Sequence, residues 1–586
     1  MERYTWSKND NYPLGVLLIM LRRSSIFSLP SAATLLVAAF LFACQGVSVR
    51  NHYSHGAVAS TSPIASSVGR EIMESGGNAF DAAIAVSFAL AVVYPQAGNI
   101  GGGGFAVIRD GKSGNISTLD FRETAPLTAF ETMFLDSAGD VIEGLSTSGA
   151  KSAGVPGSVA GLHGLWKKHG RLSWSELLAP AIKLADTGFL VDSFLVHELI
   201  EQKDSLSFFP ESKEIFFPTD KALKTGERFV QKDLSATLSA IAAEGPDGFY
   251  RGRVAALIDS SMRRHGGVIS EEDLARYAPV WREPTHIKFD SLDIYTMAPP
   301  SSGGIIIGQI LKLIEPFELS GYRPHSSEYI HLFSEACRLA FADRAEHLGD
   351  PEFYRVPNGL LDSTYLNSRR KLIIPERAGN SGEISAGRQE VTESEQTTHI
   401  SVCDSAGNMV ALTTTINGSF GSRLVVDGAG FLLNNEMDDF SIKPGHPNIY
   451  GLVGGEGNKV EPGKRMLSSM SPTLVLKHGK PFLILGSSGG SKIITTVAQA
   501  IIAITRFSME ISDVAKLGRF HHQWVPDKIY LEEKTFDMDT KQTLIRYGHN
   551  IEERTRYSDL QIIHIEENGM MTAASDPRNG GQPDGF

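Results

Sequence analysis

The stretch from Thr397 to Asn417 restricts the fold more than any other part of this chain. Two runs rich in β-branched residues, Thr397-Thr398-His399-Ile400-Ser401-Val402-Cys403 and Met409-Val410-Ala411-Leu412-Thr413-Thr414-Thr415-Ile416-Asn417, flank Ala406-Gly407-Asn408, which suits a hairpin loop. Pairing Cys403 with Met409 puts Thr397 opposite Thr415, and the period of two then sorts the side chains. Ile400, Val402, Val410, Leu412 and Ile416 form an apolar face. Thr397, His399, Ser401, Thr413, Thr415 and Asn417 form the other, with hydroxyls gathered at the Thr397 end. Taken alone, the second face fits a solvated sheet surface, because threonine is a good strand former. Upstream, residues 380–395 are polar, poorly periodic and expected to be exposed and mobile; the character changes abruptly at Thr397.

The chain is long enough to bury such a sheet. With 586 residues, 42% of them hydrophobic, it can build several domains or one large layered sandwich. A net charge of −12 with mixed charge patterning leaves no broad positive field, which argues against nucleic acid as a partner. Cys44, Cys337 and Cys403 stand far apart, with no CxxC pair and no histidines nearby at metal-ligand spacing, so neither a disulfide framework nor a zinc site is implied. Cys337 falls in a helical pattern and Cys403 in a strand pattern, where each serves as a small buried hydrophobe.

Residues 1–44 read as an N-terminal extension and processing segment. Arg22 and Arg23 precede an apolar run over 26–43, the pattern of a secretory signal, so the protein is expected to be exported, periplasmic or anchored on the outer side of a membrane. Leu41-Phe42-Ala43-Cys44 resembles a lipoprotein cleavage box that would lipidate Cys44 and give membrane attachment. Cleavage after Ser48 and an uncleaved anchor are the alternatives, and Met20 is a second candidate start. No later stretch reaches the ~20 continuous apolar residues of a membrane span.

Further along, Ser62 and Pro63 open a helix to about residue 75, and Asn78 caps a second over 79–93 that is apolar nearly all round. Gly101 to Gly104 turn into a strand over 105–108, and a strand over 116–121 delivers Arg122. Residues 327–348 form an amphipathic helix with Ile330, Phe333, Cys337, Ala340 and Phe341 on one face. Beyond the Thr397 hairpin come a long glycine-rich connection, a second hairpin over 471–476 and 481–485, and a helix from Ser491 to about Ile504. Strands in two blocks with helices before, between and after them predict sheets covered by helical layers.

Several short blocks then fall into one pattern. Gln396-Thr397-Thr398-His399, Asn434-Asn435-Glu436-Met437-Asp438-Asp439-Phe440-Ser441, Ser468-Ser469-Met470-Ser471-Pro472 and Gly489-Gly490-Ser491 follow one another in the order and spacing of the signature blocks of γ-glutamyltransferases. Asp120-Phe121-Arg122-Glu123 resembles the large-subunit block of that family, and Arg519-Phe520-His521-His522-Gln523-Trp524 a C-terminal one. The resemblance runs from about residue 55 to the end; one block alone is weak, and the ordered set is specific. It implies an α+β fold of the N-terminal-nucleophile hydrolase class, a four-layer αββα sandwich formed jointly by two subunits of one precursor. The large subunit would be 45–396 and the small one 397–586, beginning with Thr397.

The same resemblance assigns roles. Cleavage between Gln396 and Thr397 would free an α-amine, whose reference pKa near ~8 lets it serve as base for the neighbouring Thr397 hydroxyl, the nucleophile. Thr415 resembles the threonine that orients this nucleophile, and Thr413 its supporting partner. Gly489 and Gly490, immediately before a helix, resemble the family's oxyanion hole. A γ-glutamyl group offers an α-carboxylate and an α-ammonium; the resemblance gives the first to Arg122, Ser468 and Ser469 and the second to Asn417, Glu436 and Asp439. Residues 444–451 resemble the lid loop of bacterial members, with Tyr450 as the covering aromatic. The implied activity is transfer of the γ-glutamyl group of glutathione or other γ-glutamyl compounds to water or to an amino acid or dipeptide acceptor, with no metal or organic cofactor.

Two positions depart from the family pattern. Glu436 stands where some members have glutamine, which adds negative charge at the ammonium subsite. Ser488 stands where many have proline, which predicts a looser oxyanion loop. The rival readings are a cephalosporin or glutaryl acylase or a poly-γ-glutamate-processing enzyme of the same family, and, from another class, a solute-binding lipoprotein without chemistry.

Overall fold

A computed structural model describes residues 52–384, 397–555 and 557–586. The expected signal, Cys44 and the Gln396 side of the scissile bond lie outside the described residues. The strands of the two large sheets are β1 (His52–Tyr53), β2 (Gly56–Ala59), β3 (Gly103–Arg109), β4 (Ile116–Asp120), β5 (Val280–Arg282), β6 (Thr285–Phe289), β7 (Leu292–Thr296), β8 (Thr398–Asp404), β9 (Met409–Thr415), β10 (Thr473–Lys477), β11 (Lys480–Ser487), β12 (Leu560–Ile565), β13 (Met571–Ser575) and β14 (Asp584–Gly585). One seven-stranded sheet has the order β14-β2-β8-β9-β3-β4-β5, the other β1-β13-β12-β11-β10-β7-β6. Both sheets interleave strands from before and after Thr397.

The hairpin has the register expected from sequence, Thr398 opposite Thr414 and Cys403 opposite Met409. Its apolar face packs on helices α1 (Pro63–Glu74) and α2 (Ala79–Val93), where Ile400, Val402, Val410, Leu412 and Ile416 join the first core layer. Each such side chain, fully removed from water, contributes about 1.5–3 kcal/mol. All fifteen residues of α2 are buried, and Asn78 and Asp81 close its N-terminus as a capping box.

The hydroxyl-rich face is not solvated. It turns inward against the second sheet, because the two sheets stack face to face. At the turn end the contact is apolar: Cys403, Met409 and Ala411 meet Leu474, Ile484 and Ile563. Toward Thr397 it becomes polar and hydrogen-bonded, with His399 Nδ1 2.8 Å from Thr413 Oγ1, His399 Nε2 3.2 Å from Ser401 Oγ, and Ser401 donating to the Gln561 carbonyl. Gly486 of β11 lies under the His399 ring, which comes within 2.3 Å of where a Cβ would stand, so only glycine fits there. Burial holds His399 well below the usual imidazole range, at about 3, and it is a neutral strut between the sheets.

A second helical layer of α3 (Gly303–Ile314), α4 (Ser327–His347) and α5 (Lys492–Thr505) covers the outer face of the other sheet through Val475, Leu483, Leu485 and Ile562. The four layers are helix, sheet, sheet, helix. Cys337 and Cys403 are both buried free thiols. One sequence expectation changes in part: Asn380, Gly382 and Glu383 are exposed, but Ser381 is buried and anchored, and residues 385–396 lie outside the described residues. The Ser381 N–H donates to Asp527 at 2.9 Å and Trp524 Nε1 donates to the Ser381 carbonyl at 3.1 Å, so partners distant in sequence hold a locally polar segment. Among the described residues no helix is long and apolar enough to cross a membrane.

Candidate active site

β8 begins one residue after Thr397, and this end of the hairpin opens on a small cavity of about 280 Å³. Thr397, Thr415, Asn417, Arg122, Glu436, Asp439, Tyr450, Ser468, Ser469 and Gly490 all line it. Residues spread over 369 positions of sequence are thus brought together by the sheets: β4 delivers Arg122 just past its C-terminal end, β9 delivers Thr415 and Asn417, and the connecting segments supply the rest. The Thr397 hydroxyl donates toward Thr415 Oγ1 at 3.5 Å, the outer edge of hydrogen-bond range. Thr415 Oγ1 also accepts from the Asn417 N–H at 2.8 Å. Asn417 has φ +74°, a left-handed conformation that asparagine tolerates better than most residues. Two expected residues fall outside the lining: Thr413 is bonded to His399 behind the cavity, and Gly489 borders a neighbouring one.

The electrostatics centre on Arg122, which is 1% exposed. Its Nη1 lies 2.6 Å from Glu436 and 3.6 Å from Glu123, its Nη2 donates to Asp439 at 2.5 Å and toward the Leu467 carbonyl at 3.5 Å, and its Nε donates to the Met466 carbonyl at 3.4 Å. Burial pulls the guanidinium pKa down, but Glu436, Asp439 and Glu123 outweigh it and hold it up. The two halves expected from sequence, Arg122 for a carboxylate and the acids for an ammonium, are therefore in direct contact with each other. Burial raises Glu436 well above the usual carboxyl range, against the pull of Arg122. Its contact with Arg122 is close but off the N–H axes, and neither carboxyl oxygen has a hydrogen-bond partner among the described residues. Three acids about one arginine give an incoming ammonium carboxyl oxygens to meet.

Tyr450 lines the cavity with its ring against Gly490. Its loop is tied to the acidic segment by Asn448 Nδ2, which donates to Asp439 at 2.7 Å, and by the Ile449 N–H, which donates to Asp438 at 2.8 Å. Ser468 and Ser469 sit on a loop held by the large N-terminal part of the chain: the Ser468 carbonyl accepts from the Ser302 N–H at 2.8 Å and from its hydroxyl at 2.7 Å.

Gly489 and Gly490 lie between β11 and α5 with φ +112° and +54°. Among the described residues no acceptor faces the N–H of either, so both donors are available to a ligand oxygen. The loop is not slack at Ser488, as its departure from proline had suggested. Ser488 donates its hydroxyl to the Asp559 carboxylate and its N–H to the Asp559 carbonyl at 3.0 Å, while Ser487 Oγ donates to the same carbonyl at 2.6 Å. A hydroxyl tether does here what a fixed proline φ would do.

Three residues of this region carry no assignment from sequence. Glu123 was visible beside Arg122 without a role, and nothing local marked Asp559. Arg344 left a trace, since it falls four residues after Ala340 on the otherwise apolar face of α4. A set with metal-ligand chemistry, His331, Glu335 and His549, also lies outside the cavity, with ligand atoms within 4.8 Å of one another. Its atoms are engaged: His331 Nδ1 is 2.8 Å from His549 Nε2, His331 Nε2 is 3.0 Å from the Ile374 carbonyl, and Glu335 accepts from Arg338 and from the Gly379 N–H. A larger groove, about 1300 Å³, opens beside Asp404, Lys477 and Phe482. It lies roughly 20 Å along β8 from Thr397 by strand rise. Burial and Asp404 hold the Cys403 thiol there far up, so it offers no ready nucleophile.

Sequence comparison places this geometry. The model of the family described as gamma-glutamyltranspeptidase matches residues 65–586. The chain belongs to the γ-glutamyltranspeptidase family. Within that family it is 44% identical over 526 residues to the glutathione hydrolase proenzyme of Escherichia coli (strain K12), covering 89% of this chain and 90% of the relative. Among solved structures, cephalosporin acylase from Bacillus halodurans superposes with a TM-score of 0.83 at 27% identity, over 92% of this chain and 98% of that one. Helicobacter pylori γ-glutamyltranspeptidase gives 0.55 at 43% identity, over 57% of this chain and 95% of that one. The αββα arrangement of this γ-glutamyltranspeptidase-family chain is that of the N-terminal-nucleophile hydrolases.

Proposed function

We propose that the protein is a proenzyme that cuts itself before Thr397 and then works as a glutathione hydrolase and γ-glutamyltransferase through a γ-glutamyl ester on Thr397. The observation that carries this reading is the convergence of the Thr397 hydroxyl, the buried Arg122–Glu436–Asp439 cluster and the Gly490 end of the glycine pair on one cavity. In the first step Thr397 Oγ attacks the Gln396 carbonyl carbon; the peptide C–N bond breaks, which frees the Thr397 α-amine and leaves Oγ esterified, and water hydrolyses the ester to the Gln396 carboxyl and the Thr397 hydroxyl. The products are a large subunit of 45–396 and a small one of 397–586. The proenzyme name of the Escherichia coli relative supports processing of this kind.

In turnover, the α-amine takes the Thr397 hydroxyl proton while Oγ attacks the γ-carbonyl. The N–H groups of Gly489 and Gly490 are free to stabilise the oxyanion, a contribution of about 2.7–4 kcal/mol per donor in comparable sites. Collapse expels the amine of cysteinylglycine, which takes the proton. Water, or the amine of an amino acid or dipeptide acceptor, then attacks the ester. Thr415 orients the nucleophile, and the cluster around Arg122 with Asn417, Ser468 and Ser469 reads the zwitterionic end of the substrate. The N-terminal segment fits export to the periplasm or the outer face of a membrane.

The likeness to a cephalosporin acylase gives a second reading, with a bulkier acyl group. The Tyr450 ring packed on Gly490 and the small cavity favour the γ-glutamyl group. Intact mass and N-terminal sequencing of wild type beside Thr397→Ala test the first step: two fragments, the smaller starting at Thr397, against one uncut variant. Turnover of γ-glutamyl anilide against glutaryl anilide tests the second, and preference for the glutaryl substrate would overturn the substrate assignment.

A further inference from the structure

Arg344, near the C-terminal end of α4, points into the protein behind the serine loop and is 5% exposed. Its Nε donates to Ser302 Oγ at 3.0 Å and its Nη2 to Ser469 Oγ at 3.4 Å. The buried arginines Arg122, Arg338, Arg465 and Arg519 each meet a carboxylate. Arg344 meets none among the described residues. A buried guanidinium without an anion is costly, and a protein keeps one where a ligand supplies the missing charge.

The cation expected to bind a substrate carboxylate, Arg122, is already ion-paired with Glu436, Glu123 and Asp439, and its Nη2 and Nε also donate toward the Leu467 and Met466 carbonyls. Ser469 lines the cavity, and Arg344 stands directly behind its hydroxyl. We propose that Arg344 is a positioning residue for the α-carboxylate of the γ-glutamyl substrate, donating to Ser469 Oγ so that its O–H points into the cavity, and supplying a positive charge behind it that no carboxylate contacts. This rests on the γ-glutamyl reading given above. Burial lowers the Arg344 pKa only to about 10, with Asp439 opposing it and Arg122 adding a smaller pull down, so the charge persists at neutral pH.

The test uses two substrates that differ by one group: γ-glutamyl anilide, and 4-aminobutyryl anilide, which lacks only the α-carboxylate. Arg344→Gln is expected to raise KM for the first about tenfold or more with kcat within about threefold, and to change kcat/KM for the second less than about twofold. Arg344→Lys keeps the charge and should lose less, still only on the carboxylate-bearing substrate. Self-cleavage and melting temperature report folding, and if the glutamine variant does not fold, the lysine variant is read with the same pair. Equal losses on both substrates, or no loss, would overturn the inference alone. A wild type that does not turn over γ-glutamyl anilide would overturn the proposed function and this inference together.

Discussion

The Tyr450 phenol donates to the Asn417 carbonyl at 2.7 Å while its ring lies over Gly490, so one side chain bridges two walls of the cavity. A Cβ on Gly490 would come within 2.3 Å of that ring. Removing the bridge should open the site. Tyr450→Ala is expected to raise KM for γ-glutamyl anilide about fivefold and to improve turnover of oligo-γ-glutamate relative to it. A ratio of the two rates unchanged from wild type would remove the lid role.

Thr415 lies between the Thr397 hydroxyl and the Asn417 N–H. Thr415→Ala should slow both appearance of the two fragments and kcat by about ten- to a hundredfold, because one orientation serves both reactions. A time course on denaturing gels and single-turnover kinetics separate the two effects, and slowing of only one would mean the hydroxyls act independently.

Ser488 tethers the glycine pair to Asp559. The Ser488→Ala variant keeps the backbone and removes that tether, so kcat should fall about tenfold with KM within about twofold, the signature of a lost transition-state contact. A raised KM at constant kcat would place the effect in binding instead.

Glu123 makes stability depend on pH with an unusual sign. Burial pushes its carboxyl up to about 7, against the pull of Arg122, from an ordinary value of 4.5. The folded state therefore holds a proton that the unfolded chain releases, so this contribution is fully present below about 4.5 and is lost as pH rises toward about 7. Asp438 and Asp559, pushed up to about 6 by burial, act in the same direction. Thermal melts from pH 4.5 to 7 should show a declining component that Glu123→Gln reduces, and identical slopes for the two proteins would sink the assignment.

The features legible in sequence were those set by local repetition. The register of the Thr397 hairpin, the Asn78 cap and the span of α4 follow from periods of two and 3.6 and from capping chemistry. The pairing of β7 with β10 was not legible, because strands from distant parts of the chain recognise each other only once the sheet exists. Partners of buried charges were hidden for the same reason. Asp559 reaches Ser488 across 71 positions, and Ser381 reads as loop until Asp527 and Trp524 are beside it. The polar hairpin face misled for a different reason: alternation separates two faces but does not say which is wet, and here a second sheet covers the hydroxyls.

The interleaving of strands from both sides of Thr397 has a kinetic consequence. While the chain is continuous, folding is a unimolecular event; after the cut, the same two sheets must be rebuilt from separate polypeptides that each lack some of the strands of both. Refolding then becomes a second-order encounter, slowed by dilution, between fragments that expose unpaired edges. Self-cleavage thus acts as a ratchet: the protein passes through its folding funnel once, and its working lifetime afterwards is set by the unfolding rate, not by an equilibrium it can re-enter.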